Sequence, residues 1–437
     1  SRTRRFREQL GLPADAPIVM SGHQAQFWHP GILAKMLTGH AMARRAGAAF
    51  AWLVIDHDQS RPFQTRLPAI DERGRLRDLA WALDGEHAVH TSTPLDARAT
   101  TPHPPALPRG WSLDERVRAS ADALVRALAN HAHAASAGAQ VTRAMLDLLH
   151  GEDGVLRDVP PPFVVYATDL ARTDLFAEIV EHARRQPQSM HAIYNDAAAR
   201  FPRAELRALR IDPDEGHELP LWKRAHGHGV SPLFESELAD LPPEAMLPRA
   251  LLTTGMLRLA GCELFIHGLG GREYEPANDA WLSRWLPEDW MRGAQHEKRP
   301  ALAPFVTASA DLTLDLPGDS VSPEDAARAR WRAHRARHHP IEVGDADGQR
   351  RRDTLVSRIA AAARASHERR ALYNELHGLL ESHWRAHRDA LRALDERADE
   401  ASRAAAGADL RRDRTWPFCV HPPGSLAALR SEIDARF

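Results

Sequence analysis

The sequence predicts an α/β protein with a Rossmann-like, doubly wound parallel sheet, helical insertions and a C-terminal helical coiled-coil arm. Three observations support this prediction. Short apolar runs occur across the first two-thirds of the chain, a helical stretch separates the first two runs, and helix-forming residues dominate after Pro323. Nearly continuous apolar strands are typical of sheets that are buried on both faces.

The first two strands and the helix between them form the clearest unit. Strands are predicted at 17–20, 50–55, 163–166 and 262–266, and a helix at 32–46. A strand, a helix and a second strand in direct succession indicate a βαβ unit, whose two strands lie parallel in one sheet.

The remaining segments are organised around this core. Regions rich in proline, alanine and histidine interrupt it twice, and such insertions often form walls over a site. We expect the first half of the core at 1–67, a mostly helical connecting insertion at 68–160, the second half of the core at 161–322 with a further insertion at about 185–247, a helical arm at 323–410 and a tail at 411–437 packed on the core or arm.

The arm is predicted from residues 349–405, which contain no proline and only one glycine, Gly378. Apolar residues recur there at a spacing of three and four, although His383, His387 and Arg397 interrupt the pattern. The pattern indicates a long helical arm, either an antiparallel hairpin or a coiled coil that forms a homodimer.

Composition narrows the classes of partner. The 437 residues carry a formal net charge of −2, which argues against a general nucleic-acid or membrane-surface binder. With only Cys262 and Cys419, the chain cannot form a disulfide framework or a thiolate zinc cluster alone. No apolar run approaches the roughly 18 residues of a spanning helix, and the first residues lack the apolar segment of a secretory signal. We therefore expect a cytoplasmic protein that acts on small molecules.

Polar or glycine-rich segments follow all four predicted strands. Ligands of open α/β sheets bind outside the carboxyl ends of the strands, so these segments are the first place to look for a site. They contain Ser21, Gly22, His23, Gln24 and His29 after the first strand, Asp56, His57 and Asp58 after the second, Asp169 after the third, and Gly268, Gly270, Gly271, Glu273 and Tyr274 after the fourth.

The segment "SGHQAQFWHPGILAK" has the features of an anion site. Its glycines allow close approach of a ligand, and a helix N-terminus favours an anion by about 0.3–1 kcal/mol. Lys35, one turn into the helix, could add a full charge. The alternative is an ordinary turn followed by an ordinary helix start.

Asp56, His57 and Asp58 allow several chemistries. They could orient an ammonium group, supply a general base or hold a metal, or they could simply cap a turn. No second ligand pair accompanies them, and the correctly spaced pair His334 and His338 lies in an arginine-rich helix. No metal is therefore predicted.

Common nucleotide and hydrolase motifs are missing from the sequence. In "GLGGREY" the glycines are too close together for a dinucleotide fingerprint, and there is neither a Gly-Lys-Ser/Thr phosphate loop nor a Gly-x-Ser-x-Gly elbow. These absences argue against hydride transfer, P-loop ATPase and serine-hydrolase chemistry.

Taken in order, "SGHQ…HPGILAK", "WLVIDHD", "LPRALLTTGMLR" and "FIHGLGGREYE" resemble the bacillithiol-synthesis cysteine-adding enzyme family, the cysteine ligases. The resemblance implies a nucleotidyltransferase-like Rossmann core with a coiled-coil arm. It also implies addition of cysteine to the free amine of a glucosaminyl malate, forming an amide. Because the carboxylate must be activated, ATP or ADP is the expected nucleotide.

The resemblance assigns roles by position. It carries over Ser21, Gly22 and Gln24 in the first loop, Lys35, the acidic residues Asp56, His57 and Asp58, and Gly268, Gly270 and Tyr274 in the last loop. Together with the polar residues near the strand ends, the predicted catalytic residues are Lys35, Asp56, His57 and Asp58, and the predicted substrate-binding residues are Ser21, Gly22, His23, Gln24, His29, Asp169, Arg249, Gly268, Gly270, Gly271, Glu273 and Tyr274. The chain departs from the family pattern at three positions. His23 replaces a glutamine, Leu269 a proline and Gly271 a glutamate, for which Glu273 would be a displaced substitute.

Three functions are therefore carried forward. The first is the cysteine-adding ligase. The second is an ATP-dependent aminoacyl- or nucleotidyl-transferring enzyme of the same fold, in which His29 and Gly31 are similar to part of the class I His-x-Gly-His signature. The third is a non-catalytic binding or scaffold protein that uses the helical arm.

Overall fold

A five-stranded parallel sheet lies at the centre of the computed structural model, which describes residues 1–58, 61–83, 98–225, 229–287, 290, 302–316 and 321–437. The predicted α/β class is therefore confirmed. In chain order the elements are α1 (Arg2–Gln9), β1 (Ile18–Gln24), α2 (Pro30–Ala46), β2 (Ala49–Ile55), β3 (Gln64–Ile70), β4 (Leu76–Ala82), α3 (Glu115–Asn130), α4 (Ala137–His150), β5 (Phe163–Tyr166), α5 (Asp174–Arg185), α6 (Pro187–Arg200), β6 (Ile211–Asp212), β7 (Gly216–Ala225), β8 (Gly229–Phe234), α7 (Glu235–Leu238), β9 (Met246–Pro248), α8 (Ala250–Met256), β10 (Leu264–His267), α9 (Leu269–Trp285), β11 (Phe305–Thr307), α10 (Pro323–Ala336), α11 (Ala346–Ala361), α12 (His367–Ala386), α13 (Arg388–Arg412) and α14 (Pro423–Asp434).

The strand order of the central sheet is β11-β10-β1-β2-β5, and every neighbouring pair is parallel. The first strand is therefore in the middle, with β2 and β5 on one side and β10 and β11 on the other. This order is compatible with the predicted Rossmann-like sheet. It places a topological switch point between β1 and β10, where ligands of such sheets bind.

Helices cover both faces of the sheet, because alternate strand residues enter two separate hydrophobic clusters. Val19 and Trp52 pack in one cluster with residues of α2, α3, α4 and α14. Met20 and Leu53 pack in the other with residues of α5, α6, α8 and α9. The nearly continuous apolar runs of β1 and β2 are thus explained by burial on two sides.

Two segments expected as loops belong to regular elements. β1 continues through the polar residues to Gln24, and the hydroxyl of Ser21 donates to the carbonyl of Ile266 at 2.7 Å, so this buried polar group is satisfied within the sheet. The glycines after β10 begin α9 instead of forming a loop, and Gly268 is the residue before its first turn.

The insertions contain strands that the sequence patterns did not reveal. β3 and β4 form an antiparallel pair at the start of the insertion expected to be mostly helical, before α3 and α4. The second insertion contains α6 and a small antiparallel sheet of β6, β7, β8 and β9. Arginines and acidic residues interrupt the apolar pattern of β3 and β4, which explains why they escaped recognition.

The predicted arm is divided into several helices. α10 packs along α13 and α11 against α12, while the helical run expected at 349–405 breaks near Ala365, whose φ is 63°, and again at His387. Gly378 does not break α12. Buried alanines lie seven residues apart at Ala326 and Ala333, a spacing that allows close helix packing.

The tail after the arm packs against the core. Trp416 is fully buried, and the amide of Phe418 donates to the carbonyl of Trp28 at 2.7 Å. Helix α14 packs on α2. In the described part of the chain, no helix combines the length and apolar character needed to cross a bilayer. The domain boundaries stay a prediction.

Two helical glycines should respond in opposite directions to alanine. At Gly39 in α2 an added Cβ would lie 2.1 Å from Phe50 Cε2, so Gly39→Ala should lower the free energy of unfolding by about 1–3 kcal/mol. At exposed Gly378 an added Cβ would meet no atom within 4 Å, so Gly378→Ala should raise the free energy of unfolding by roughly 0.5–1 kcal/mol. Urea-induced unfolding measures both, and equal effects would contradict the packing of α2 on β2.

Candidate functional site

The strongest candidate site lies at the switch point, where the carboxyl ends of β1 and β10 meet the start of α2. We call Gly22, His23, His29, Lys35 and Gly268 the strand-end cluster. The Lys35 ammonium donates to the carbonyl of Gly22, and the Lys35 Cδ lies 3.9 Å from the Cβ position of Gly268. Lys35 therefore bridges the segments that follow the two central strands.

The backbone geometry of this region depends on glycine. A Cβ on Gly22 would lie 2.5 Å from Leu53 Cβ, so only glycine allows β1 to approach β2 this closely. The carbonyl of Gly22 is thereby held in reach of Lys35. The sequence pattern identified Gly22 correctly as a close-approach position, but the partner is strand β2.

Histidines surround the first turn of α2. His29 is its N-cap and accepts a hydrogen bond at Nδ1 from the amide of Gly31 at 3.0 Å. His23 contacts Gln26, with 2.9 Å between Nε2 atoms, and its ring lies 6.5 Å from that of His29. Both residues are half-buried by accessible surface, and they place two imidazoles beside the N-terminus of α2.

Burial favours the uncharged forms of these basic groups. Lys35 is 6% exposed, and its burial lowers the pKa of the ammonium to about 7. Burial, together with the charge of Lys35, lowers the pKa of His23, and burial with Arg414 and Lys35 lowers the pKa of His29 to about 4. An anion bound here would raise all three pKa values, since it favours the charged forms. The strand-end cluster is thus suited to bind an anion or to accept a proton.

His267 ends β10 and belongs to a second, more buried network. Its Nε2 lies 3.0 Å from Glu275 Oε1, and the hydroxyl of Tyr274 lies 3.5 Å from its Nδ1. Glu275 also accepts from Thr254 at 2.7 Å and pairs with Arg258. Burial raises the pKa of Tyr274 and lowers the pKa of His267. The pKa of Glu275 is lowered despite burial, because Glu275 accepts hydrogen bonds and lies beside positive groups.

The glycine segment has a packing role at one position. A Cβ on Gly271 would lie 2.4 Å from the His267 ring, so Gly271 lets α9 pack directly on that histidine. Gly270 is exposed, and a Cβ added there would meet no atom within 4 Å. Glu273, the expected displaced glutamate, pairs with Arg272 at 3.0 Å near the surface. The acidic residue that reaches His267 is Glu275.

The Asp56-His57-Asp58 segment is engaged largely in structural contacts. Both Asp56 oxygens accept from Thr168, at 3.0 Å from its amide and 2.6 Å from its hydroxyl. His57 Nε2 contacts the carbonyl of Pro248 at 2.9 Å. Asp56 thus fastens the end of β2 to the segment after β5, and His57 fastens it to β9. Asp58 is partly exposed.

The other predicted residues make separate contacts. Ser21 is used in the sheet, and Gln24 ends β1 with its side chain partly exposed. Asp169 is half-buried, which raises its pKa, and it pairs with Arg172 at 3.2 Å. Arg249 pairs with buried Glu218 at 2.8 Å and stacks on Trp222.

Sequence reasoning missed three residues near the site. His267 was recognised only as part of a loop, and Glu275 was hidden inside a helix. Arg414 comes from the tail, where it donates to Ser309 at 2.6 Å, and both side chains lie within 3.0 Å of the Cβ position of Gly31. A histidine at the end of a buried strand was the available signal for His267, whereas nothing in the sequence connects Arg414 with α2.

Comparisons with protein-family models, curated protein sequences and solved structures gave no match. Function therefore has to be inferred from the residues of the strand-end cluster and from the motif resemblance.

The protonation of Lys35 predicts how stability responds to pH. Between pH about 7 and about 10.5 the folded state binds fewer protons than the unfolded state, so wild-type stability should rise with pH in this window. Lys35→Met removes the cost of burying the amine. It should raise the free energy of unfolding by on the order of 2–4 kcal/mol at and below neutral pH, and this advantage should vanish toward pH about 10.

Urea unfolding of both proteins across this range measures the difference. Lys223→Met is the matched control, because Lys223 is a partly exposed lysine paired with Glu237. A Lys35→Met effect that stays constant with pH would contradict the lowered pKa of Lys35.

Proposed function

We propose that the protein is an amide-forming ligase whose active site is the strand-end cluster, and that it adds cysteine to an amino-sugar conjugate such as glucosaminyl malate. The observation that carries the proposal is the buried Lys35, with a pKa lowered to about 7, at the switch point of the parallel sheet. Strongly perturbed lysines are concentrated at functional sites. The choice of substrates rests on the motif resemblance.

The chemistry of the cluster suits both halves of amide formation. The carboxylate of cysteine must first be activated by transfer of a phosphoryl or adenylyl group, for which we propose ATP as the co-substrate. The acceptor amine then attacks the carbonyl carbon, the C–N bond forms, and phosphate or AMP leaves with the carbon–oxygen bonding electrons. An amine with a pKa near 7 can accept the proton that the attacking nitrogen releases.

Anion binding is the second property that supports this proposal. His23, His29 and Arg414 bring further positive or chargeable groups to the N-terminus of α2, where the helix dipole favours phosphate and carboxylate. His23 stands where the resembling family has glutamine. We therefore assign it to substrate selection and not to the shared chemistry.

A second candidate keeps the site and changes the reaction. His29, as N-cap beside Gly31, is placed as the first histidine of a His-x-Gly motif would be, which favours an aminoacyl- or nucleotidyl-transferring enzyme. The products separate the two candidates. Only the ligase converts cysteine and the amino-sugar conjugate into their amide, whereas the second candidate transfers its aminoacyl or nucleotidyl group to another acceptor and forms no such amide.

The arm bears on the third candidate, a scaffold. Its coiled-coil character and a homodimer through it remain proposals. Within one chain, α10 and α13 already pack on each other. A dimer would therefore have to form through exposed apolar side chains elsewhere in the arm, such as Val356 and Tyr373. A cytoplasmic location is likewise part of the proposal.

Mixing cysteine, glucosaminyl malate and ATP with the protein tests the ligase directly. Wild type should form the amide, and Lys35→Met should lose about 10²–10⁴-fold in kcat/KM, the usual contribution of a proton-transfer group. Lys223→Met should retain full activity, and Asp58→Ala reports whether the acidic segment takes part. Amide formation and product analysis by mass spectrometry give the rates.

The outcomes discriminate among the three functions. If wild type consumes none of the three compounds at saturation, the named reaction is excluded. A thermal-shift screen with nucleotides and amino acids then separates the other two, because a ligand at 100 times its Kd stabilises by about 2.7 kcal/mol. Absence of any response would favour the scaffold.

A further inference from the structure

The junction between the helices of the arm contains three side chains with the donor set of a transition-metal site. Asp345, His383 and His387 each offer one ligand atom, and these atoms lie within 4.8 Å of one another. Within the residues that the structure describes, this is the one group of three such side chains that meets this geometry. We propose that it binds one divalent metal ion of the Zn²⁺ class, independently of the ligase proposal.

The two histidines are positioned by their helix. His383 and His387 are four residues apart, so they lie on one face of the last turn of α12, with ring centroids 5.0 Å apart. This His-x-x-x-His spacing is the usual way in which one helix supplies two metal ligands.

The hydrogen bond of His383 leaves its other nitrogen free for a metal. Nε2 lies 2.9 Å from the carbonyl of Ala336, which can only accept, so Nε2 carries the hydrogen. In the neutral ring Nδ1 then presents a lone pair, and this buried atom has no hydrogen-bond partner. A backbone carbonyl that orients the distal N–H is the typical outer support of a metal-binding histidine.

The two carboxylate oxygens of Asp345 make different contacts. Its Oδ1 accepts from the amide of Gly348 at 2.8 Å and caps α11, while Oδ2 faces the histidines. A Cβ on residue 348 would lie 2.2 Å from Oδ2, so glycine there leaves room for the carboxylate.

The distances fit a bridging ion better than direct ion pairs. Oδ2 lies 4.0 Å from His383 Nδ1 and 3.6 Å from His387 Nε2, both beyond hydrogen-bond range. Ligands at about 2.0–2.2 Å from a tetrahedral Zn²⁺ are about 3.3 Å apart, so these two distances must shorten by about 0.7 Å and about 0.3 Å when the ion binds. Two imidazoles and one carboxylate leave a fourth position for water or an added ligand.

The ion would add a link between helices of the arm, of which α11 and α12 already pack on each other. Asp345 precedes α11, His383 is in α12, and His387 separates α12 from α13. Metal binding would therefore hold the start of α11 against the junction of α12 and α13.

Titration of the metal-free full-length chain with Zn²⁺ alone, followed by calorimetry, tests the site. Wild type should bind one ion at a saturable site, and His383→Ala and His387→Ala should weaken this binding at least 100-fold. Asp345→Asn keeps an acceptor for the cap of α11 but loses the negative ligand, so it should weaken binding at least tenfold while the fold is retained.

His334→Ala is the matched control, since His334 and His338 form a second pair with the same spacing, in α10. The affinity of the His334→Ala variant for Zn²⁺ should equal that of wild type. Replacing Zn²⁺ by Co²⁺ should give a visible absorption band in both proteins. Far-UV circular dichroism verifies that each variant is folded. The proposal is overturned if wild type shows no saturable site, or if folded Asp345→Asn and His387→Ala bind as tightly as wild type.

Discussion

The pairing of β1 with β2 on one side and β10 on the other is the constraint on which the rest of the structure depends. It requires close approach on both sides. Gly22 permits contact with Leu53, and the Ser21 hydroxyl bonds to the carbonyl of Ile266. Because β1 is central, its polar end is exposed to segments from both halves of the sheet. The carbonyl of Gly22 meets Lys35 there, and Gly268 lies beside it.

Placing Lys35 at this point is costly for the fold and informative about function. A buried amine with one carbonyl partner is less stable when charged, and its pKa falls to about 7 as a result. No carboxylate contributes to that shift, whereas Glu275 partly restores the basicity of His267 nearby. The strand-end cluster is therefore an electrostatically incomplete site, which a bound anion would complete.

The parts of the fold that were predictable are those in which local pattern and burial agree. The apolar runs of β1, β2 and β5 were recognisable because both sheet faces are covered. The strands β3 and β4 were not, since charged residues such as Arg66 and Asp78 pair across them at the surface. Glycines at 268–271 look like a loop in sequence, yet Gly271 is needed because α9 packs on His267.

Site residues divide along a similar line. Lys35 and His29 follow a strand directly and could be found from spacing, whereas Glu275 and Arg414 reach the site only through tertiary contacts. Asp56 and His57 carried the most suggestive sequence, but Thr168 occupies both Asp56 oxygens and Pro248 occupies Nε2 of His57, whose buried Nδ1 has no hydrogen-bond partner. At the junction of the arm helices, the His383 and His387 spacing is visible in the sequence, but the carboxylate comes from Asp345, the N-cap of α11.

The arm and the candidate site are physically continuous, because both ends of the arm meet the core beside α2. Before the arm, the amide of Leu314 donates to the carbonyl of Arg411 at 2.9 Å, which ties the outgoing chain to the end of α13. Just past α13, Arg414 bonds to Ser309 and adds to the lowering of the His29 pKa. Ser309 and Asp311, which precede the arm, hold Arg414 beside the first turn of α2. An arm anchored in this way is part of the electrostatics of the site, and removing it would change the charge balance at the N-terminus of α2.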